Sequence, residues 1–199
     1  MSMPNPKRTA VRVQKVRLYP DVEMKQVLDE LCDYRRYCWN EALALWNDMY
    51  EQSLILDDRK SRPSEYKVRN ELVAEKQDWQ YALSARVLQL SVSDLNKAFR
   101  NFFDKAQTDW GKPKFKSKKA PRQGFKTDRA RIVNGKLLLD RPHDSRHKKK
   151  WTAIPFKGAK SLEGDLKVVS VYRENGRYYA SLPFEVDIRK KEKTGRCDA

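Results

Sequence analysis

The sequence is poor in the residues that usually build metal sites and disulfide frameworks. Its 199 residues include two histidines and three cysteines. The cysteines are an odd set without CxxC spacing, which argues against a zinc-binding pair or a disulfide-stabilised fold. His143 and His147 form an HxxxH pattern, but no cysteine pair precedes it, so a zinc finger is not predicted. We therefore expect no metal in this chain and reduced thiols, as in a cytoplasmic protein.

Long apolar runs are also missing from the sequence. No stretch approaches the roughly 20 apolar residues that are needed to cross a membrane, and no basic amphipathic helix is evident. Residues 1–10 lack the apolar centre of a signal peptide. These features predict a cytoplasmic protein without a membrane partner.

Sequence motifs for common catalytic chemistry are absent as well. The chain contains no GxxxxGK[ST] loop, no HExxH helix and no GxSxG turn. Acidic residues are frequent in the helical part, but no pair is placed for two-metal catalysis. No catalytic residue is predicted, and we do not expect enzymatic activity from this chain alone.

Acidic residues are scarce toward both ends of the chain, and this scarcity produces a large positive charge. The formal net charge is +16 and the isoelectric point is about 9.8. Residues 1–20 contain five bases and no acid, residues 21–105 carry a net charge of −3, and residues 106–199 carry +14. A charge needed only for solubility would be spread evenly. The uneven distribution indicates a polyanionic partner, and nucleic acid fits better than a membrane surface.

The most basic stretch comprises residues 110–126 and is called the basic segment below. It contains seven basic residues, three aromatic residues and no acid. Its glycines and prolines argue against a continuous helix or a central strand. An extended cationic chain with interleaved rings can follow a phosphate backbone while its rings pack on the fold or stack on bases. A solvated basic loop is the alternative interpretation.

The sequence before the basic segment is mostly helical in pattern. A strand is predicted at residues 10–18, although its alternation slips once and leaves the inner face undecided. Apolar residues at three- and four-residue spacing predict a first helix at about 22–52. Ser64 is a suitable N-cap for a second helix through about 76, and a third is predicted at about 85–106. These lengths predict a small helical bundle.

The sequence after the basic segment has the pattern of short strands. Residues 132–137 contain Asn-Gly, the dipeptide that favours a type I′ hairpin turn. Residues 165–173 and 177–186 flank a second Asn-Gly and give the strongest hairpin signal. A strand is also predicted at 151–156, after a basic loop at 141–150. Short strands with basic loops fit a small β-barrel, so the predicted fold class is α+β.

Six segments resemble, in the same order, the N-terminal half of TnpB (OrfB-type) proteins, the RNA-guided nucleases of small insertion sequences and relatives of type V CRISPR effectors. Two of them resemble the family's "RLYP" strand end and its "R-F/Y-x-x-N-x-A-L" helix. The next three resemble a "Q…L..L..AF..FF" helix, a "G-x-P-x-F-K" stretch and an "SF" pair, and the last resembles "VTVxR…YYASxxxE". In chain order the segments are residues 16–20, 34–43, 89–103, 111–119, 124–125 and 169–186.

The resemblance implies a wedge-type β-barrel that is split by an inserted helical bundle. The first strand of the barrel would lie in residues 1–20, the helix-turn-helix-like recognition insertion in 21–106 and the remaining barrel in 107–187. Residues 188–199 would link to a RuvC-like nuclease domain. That domain opens with "G-[IV]-D-x-G" in the family, and Asp198 does not fit this motif, so it receives no catalytic role.

The resemblance also implies a function. Proteins of this family hold a guide RNA and read a short DNA motif beside their target, so guide RNA and double-stranded target DNA are the expected partners. The RuvC acids that use Mg²⁺ and the ribbon that holds Zn²⁺ would belong to the missing C-terminal half. This chain is therefore expected to bind no cofactor and to lack nuclease activity alone.

The resemblance also implies which individual residues contact nucleic acid. The family's contacts to target-adjacent DNA fall on or near Ser64, Tyr66, Gln89 and Ser93. A glutamine can read adenine through two hydrogen bonds, and a surface glutamine of an amphipathic helix is the alternative. Ten basic residues are expected to hold the backbone of RNA or DNA without reading sequence: Lys112, Lys114, Lys116, Lys118, Lys119, Arg122, Lys126, Lys148, Lys149 and Lys150.

Two other functions remain open at this point. A stand-alone, helix-turn-helix-like DNA-binding regulator would bind duplex DNA without RNA. One half of a split nuclease would cut DNA with a metal ion once a RuvC-containing partner is added.

Overall fold

The computed structural model describes residues 9–106, 109–142 and 151–187. Helices and antiparallel strands both contribute, and the strands form a half-barrel sheet. The predicted α+β class is therefore confirmed. All the described helices lie between the first and second strands of the sequence.

The helical part is built on one long helix, α1 (Val22–Ile55), which continues three residues beyond the predicted end. Its first turn is capped by Asp21, whose carboxylate accepts the Met24 backbone N–H at 2.7 Å. A short 3-10 turn (Arg59–Ser61) follows, then α2 (Glu65–Ala74), the one-turn helix α3 (Asp78–Tyr81) and α4 (Ala85–Phe103). The sequence pattern did not predict α3, which is too short to show a helical period.

The core of the helical part lies between α1 and α4. Both helices carry apolar residues on one face at helical spacing, and these residues are buried. At the contact, the ring of Trp46 stacks on that of Phe99, with centroids 4.6 Å apart and planes 10° from parallel. The buried ring of Trp46 thus serves packing, as its spacing indicates.

The sheet contains eight strands in the described residues, all antiparallel to their neighbours. Its order is β2-β7-β8-β1-β5-β4-β3, and β6 pairs with β8 beside β7. The strands are β1 (Thr9–Leu18), β2 (Arg122–Thr127), β3 (Arg131–Val133), β4 (Lys136–Leu138), β5 (Ile154–Lys157), β6 (Asp165–Leu166), β7 (Val169–Glu174) and β8 (Arg177–Asp187).

Strand β1 is central although it comes first in the sequence. It pairs along its whole length with β8 and, at its C-terminal end, with β5. Gln14, Val16 and Leu18 are buried, while Lys15 and Arg17 are exposed on the opposite face. The structure thus identifies the inner face that the sequence pattern left undecided.

Both predicted Asn-Gly turns are confirmed by their backbone angles. Asn134 and Gly135 have φ values of 49° and 69°, and Asn175 and Gly176 have 50° and 70°. Two successive residues with positive φ are the signature of a type I′ turn, which matches the twist of the flanking strands.

Two predicted strands have different bounds from those expected. The strand predicted at 151–156 begins only at Ile154 and ends at Lys157. The strand predicted at 165–173 is divided into β6 and β7, and the Lys167 backbone N–H between them bonds to the Pro183 carbonyl at 2.8 Å. The alternation of side chains does not reveal such an interruption, because the chain remains extended through it.

The basic segment contains neither a helix nor a central strand, as its glycines and prolines predict. Its last residues form part of β2, which lies at one end of the sheet order. There Gly124 packs so closely on β7 that a Cβ atom would lie 2.6 Å from both the Val171 carbonyl oxygen and the Tyr172 Cβ. A larger residue at this position would separate the two strands.

Some predicted features lie outside the described residues: His143, His147, Lys148, Lys149, Lys150 and the proposed linker at 188–199. Cys32 and Cys38 are free and buried, and removal from water raises the pKa of each thiol to about 12. In the described ranges, no group of three or more His, Cys, Asp or Glu residues is arranged to hold a metal ion. None of the helices described is both long and apolar enough to span a membrane.

Candidate nucleic-acid interface

The basic segment is fixed to α1 by side chains of the helix. The Trp39 indole N–H donates to the Lys114 carbonyl at 2.9 Å. Asn40 makes two hydrogen bonds to Lys116: its amide nitrogen donates to the carbonyl at 3.1 Å, and its oxygen accepts the backbone N–H at 2.8 Å. These side chains replace the neighbouring strand that an extended backbone would otherwise need. The segment is therefore held in one path across the helix.

A second anchor holds the turn at residues 117–120. The side-chain amide of Gln123, which is 8% exposed, donates to the carbonyls of Ser117 and Ala120, both at 3.0 Å. Several carbonyls thus converge on one buried amide, so the turn does not depend on its own short-range bonds alone. Lys118 and Lys119 are exposed on this turn.

Two cations pair with the carboxylate of Asp94 on α4, and a third, Lys116, lies close by over the Trp39 ring. Arg35 Nη2 lies 3.0 Å from one carboxylate oxygen, and Lys126 Nζ lies 2.7 Å from the other. Lys116 Nζ and the Arg35 guanidinium lie over the Trp39 ring, 4.1 Å and 5.1 Å from its centroid. Because one acid serves three bases, the cluster keeps a net positive charge that a phosphate can neutralise.

The surroundings of Lys116 change the pKa of its ammonium group. Removal of its ammonium from water, and then repulsion from Arg35 and Lys126, lower the pKa of Lys116 to about 8, although Asp94 opposes the shift. A bound phosphate would favour the charged form and raise this pKa. Lys116 is thus well placed to gain from an anionic ligand.

A groove of about 470 Å³ lies beside the cluster, between α1, the basic segment and the β2–β7 edge of the sheet. Five cationic residues and no acid line it: Arg35, Arg36, Lys116, Arg122 and Lys126. The rings of Phe115, Phe125 and Tyr172 also line it. Phe125 and Tyr172 are buried and Phe115 is exposed, so the groove combines its cations with one ring that is free to stack on a base of a single-stranded nucleic acid.

A row of cations and rings continues from the groove across the sheet. The Arg122 guanidinium lies 3.7 Å from the Tyr172 centroid, and Tyr172 stacks on Tyr179 at 5.5 Å, with planes 22° apart. Lys15 Nζ then lies 5.3 Å from the Tyr179 centroid. Lys15, Tyr172 and Tyr179 were not predicted as contact residues. The two tyrosines could have been found from the predicted hairpin, because Tyr172 and Tyr179 are direct cross-strand neighbours in it.

Two of the residues expected to contact DNA lie at the start of α2. Ser64 is its N-cap and accepts the Lys67 backbone N–H at 3.3 Å. Tyr66 is 65% exposed. This end of α2 is joined to α4 by the bond from the Asn96 amide to the Glu65 carboxylate at 3.0 Å.

The other two, Gln89 and Ser93, are half-buried on α4, one turn apart. Gln89 accepts a hydrogen bond from Arg86, which also forms an ion pair with Asp128 beyond β2. The hydrogen bond and ion pair between Arg86 and Asp128 raise the pKa of Arg86 and lower that of Asp128. Gln89 lies seven residues from Asn96, which is about 10 Å along a helix. The start of α2, with Ser64 and Tyr66, thus lies beside Asn96, and Ser93 and Gln89 lie about one and two turns before Asn96 on α4.

Of the ten predicted backbone contacts, the seven in the basic segment are described, and they divide into two groups. Lys116 and Lys126 belong to the cluster around Asp94, and Arg122 stacks on Tyr172. Lys112, Lys114, Lys118 and Lys119 are exposed. The first group has fixed positions, and the second presents charge to solvent.

Comparison with known proteins gives one match. Residues 12–54 match the model of the family HTH_OrfB_IS605, described as a helix-turn-helix domain. No curated protein matches the chain. In the structure, the matched residues form most of β1 and nearly all of the uninterrupted helix α1, which carries Arg35, Trp39 and Asn40. The match supports DNA binding by a region of the OrfB/IS605 transposase type, and thus a role in a transposon-associated protein.

Proposed function

We propose that this chain is the nucleic-acid-binding N-terminal part of a transposon-associated, RNA-guided DNA endonuclease. It would bind the guide RNA and the DNA motif beside the target. The observation that carries the proposal is the anchored basic segment, which α1 holds against a groove lined by five cationic residues. The family match covers most of β1 and nearly all of α1, and α1 is the helix that provides these anchors.

The groove and the cation–aromatic row favour an RNA with unpaired nucleotides. Fixed cations such as Arg35 and Lys126 suit phosphates, and the exposed ring of Phe115 suits stacking with a base. A regular duplex offers no free base faces except at its ends. The guide RNA is therefore the ligand that we assign to this region.

The face formed by the start of α2 and by α4 is the part that we assign to target-adjacent DNA. Its exposed ring at Tyr66 and its polar groups at Ser64, Gln89 and Ser93 can contact base edges or phosphates. To read a base directly, Gln89 would have to break its hydrogen bond with Arg86 and form hydrogen bonds with the base instead. Arg86 would stay paired with Asp128.

The half-barrel sheet would be the wedge domain of such a nuclease, and α1–α4 the recognition insertion. Cleavage would then come from a RuvC-like domain that supplies the Mg²⁺-binding acids. The chain alone would bind its ligands without cutting DNA.

The test is binding to the transcript that overlaps the 3′ end of the element encoding this chain. Its affinity is compared with that of a scrambled RNA of equal length over a series of salt concentrations. We expect tighter binding of the transcript at every salt concentration, and RNA binding that precedes DNA binding. Equal affinities with the same salt slope would contradict guide-RNA binding and would show that the chain binds polyanions without selecting among them.

A stand-alone DNA-binding regulator is the second candidate, because the matching family is described as a helix-turn-helix domain. It predicts specific duplex binding without RNA. Gln89→Ala should then relax specificity by about 1–3 kcal/mol at one base pair, whereas Gln52→Ala on the exposed part of α1 should not. A split nuclease would instead show metal-dependent cutting when a RuvC-containing half is added.

A further inference from the structure

A second cavity of about 450 Å³ lies between α1, α3 and Trp151, which is three residues before β5. Four aromatic side chains line it: Tyr34, Tyr37, Trp79 and Trp151. Tyr34 is 1% exposed and Trp79 is 46% exposed. The cavity thus extends from the core of the helical part to the surface, and aromatic rings line it along this depth.

The Trp79 ring meets the rings of Tyr34 and Tyr37 at steep angles and does not lie flat on either. The Trp79 centroid lies 5.8 Å from that of Tyr34 and 5.3 Å from that of Tyr37, with interplanar angles of 79° and 70°. The Trp79 indole N–H donates to the Gln77 side chain at 3.1 Å, which fixes the ring. Edge-to-face rings leave aromatic surface for a flat ligand.

The charge of this cavity differs from that of the cationic groove. Glu30 and Asp33 line it, and its cation, Arg36, is paired with Asp33 at 2.6 Å. Carboxylates repel phosphate but accept N–H groups. The lining therefore suits a flat, neutral ligand with N–H donors at its edge.

A nucleobase has these properties, and guanine has two adjacent N–H donors on its Watson–Crick edge, which match the two oxygens of a carboxylate. We propose that the cavity binds one unstacked guanine base of a single-stranded nucleic acid. Glu30 accepts its edge, and Trp79 and Tyr37 contact its ring. This inference rests on the proposed nucleic-acid binding and adds the kind of base that is recognised.

The route to the cavity is provided by Arg36, which lines both the cavity and the cationic groove. The two spaces open on opposite sides of α1, and Arg36 lies at the border between them. A strand whose phosphates follow Lys116 and Arg122 in the groove can turn one base past Arg36. The groove then contributes affinity, and the cavity contributes base selectivity.

The experiment measures the affinity of the full chain for 12-nucleotide uridine RNAs that carry one central guanine, inosine, adenine or cytosine. Inosine lacks the exocyclic amine and so removes one donor. We expect guanine to bind about tenfold more tightly than uridine at that position, as stacking with a single base allows, and inosine to fall between them. Trp79→Ala and Glu30→Gln should each remove most of this preference without changing the salt slope.

Matched controls are available on the same helices. Tyr81→Ala removes an exposed ring of α3 that does not line the cavity, and Glu51→Gln removes an exposed acid of α1. Both should retain the preference for guanine. Circular dichroism of each variant separates lost recognition from lost folding.

Equal affinities for all bases, or a guanine preference that both cavity variants keep, would overturn this inference. The first outcome would leave the cavity as a contact surface for a protein segment. The inference fails separately from the proposed function. If the chain prefers guanine but binds cognate and scrambled transcripts equally, only the guide-RNA function is refuted. If it prefers the cognate transcript but shows no preference for guanine, only guanine binding in the cavity is refuted.

Discussion

Asn40 on α1 holds Lys116 through both of its side-chain polar groups, at 3.1 Å and 2.8 Å, across 76 positions of sequence. The asparagine thus pairs with the backbone as a neighbouring strand would, but from the surface of a helix. This residue of the helix therefore fixes the backbone at Lys116, beside the anchors that Trp39 and Gln123 provide.

Asn40→Ala should release this part of the segment. Loss of two hydrogen bonds at an exposed position is expected to lower the free energy of unfolding by about 1–2 kcal/mol. Trypsin should cleave after Lys114 and Lys116 faster than in the wild type, as monitored by mass spectrometry. Asn70→Ala, at an exposed position of α2, is the matched control. Unchanged cleavage rates in Asn40→Ala would show that other contacts hold the segment.

Asp94→Asn should have opposite effects on stability and on ligand affinity. The carboxylate is 15% exposed and its partner Arg35 is 13% exposed, so we expect a cost of about 2 kcal/mol, below that of a fully buried pair. Arg35 and Lys126 would then be free for phosphate. Affinity for single-stranded RNA at low salt should rise severalfold, and the salt slope should become steeper by about one.

The control for that substitution is Asp48→Asn, which removes the same charge from an exposed position of α1. It should change the affinity only slightly through the net charge of the protein. Weaker RNA binding by Asp94→Asn in a folded variant would contradict the role of Asp94 as a competitor for the cations. It would indicate that Asp94 orients them for the ligand instead.

The pKa of Lys116, about 8, predicts pH-dependent RNA binding. Phosphate binds the ammonium form, so affinity should be highest below pH 8 and should decline above it. With about a tenth of Lys116 charged at pH 9, the loss between pH 7 and pH 9 can reach about tenfold. Lys116→Arg stays charged over this range and should show little decline in a fluorescence anisotropy titration. Equal declines in both proteins would assign the effect to another group.

Gly124→Ala should destabilise the sheet because the added methyl would lie 2.6 Å from β7 backbone and side-chain atoms. We expect a cost of about 1–3 kcal/mol in urea unfolding, as for other overpacked sites. Gly111→Ala is the control, since its added methyl would meet nothing within 4 Å. Similar stabilities of the two variants would mean that β2 shifts away from β7 without cost.

Local sequence information predicted the elements whose cause is local. The Asn-Gly turns follow from the backbone freedom of two residues, and the helix at 22–52 follows from the spacing of its apolar residues. The inner face of β1 did not follow from hydrophobicity. Val11 and Val13 are 61% and 60% exposed, whereas Gln14 is buried and its oxygen accepts the Lys160 backbone N–H at 3.2 Å.

The candidate interface was predictable in composition but not in arrangement. The number of cations in the basic segment can be counted from the sequence. Their anchoring depends on Trp39, Asn40 and Asp94, which lie far from the segment in the chain and are next to it only after folding. No periodicity or motif contains such a pairing. The same is true of the cavity beside Trp79, whose walls come from three separate parts of the chain.

The position of β1 has a consequence for the order of events during synthesis. Each of the ten pairs in its ladder joins residues 9–18 to residues 178–187, so the central contact of the sheet is the most distant one in the sequence. Helices α1–α4 are complete long before β8 leaves the ribosome, and pairings of such separation form slowly. The groove also needs Tyr172 on β7, so a nascent chain completes the groove to which we assign RNA only after β7 has been translated.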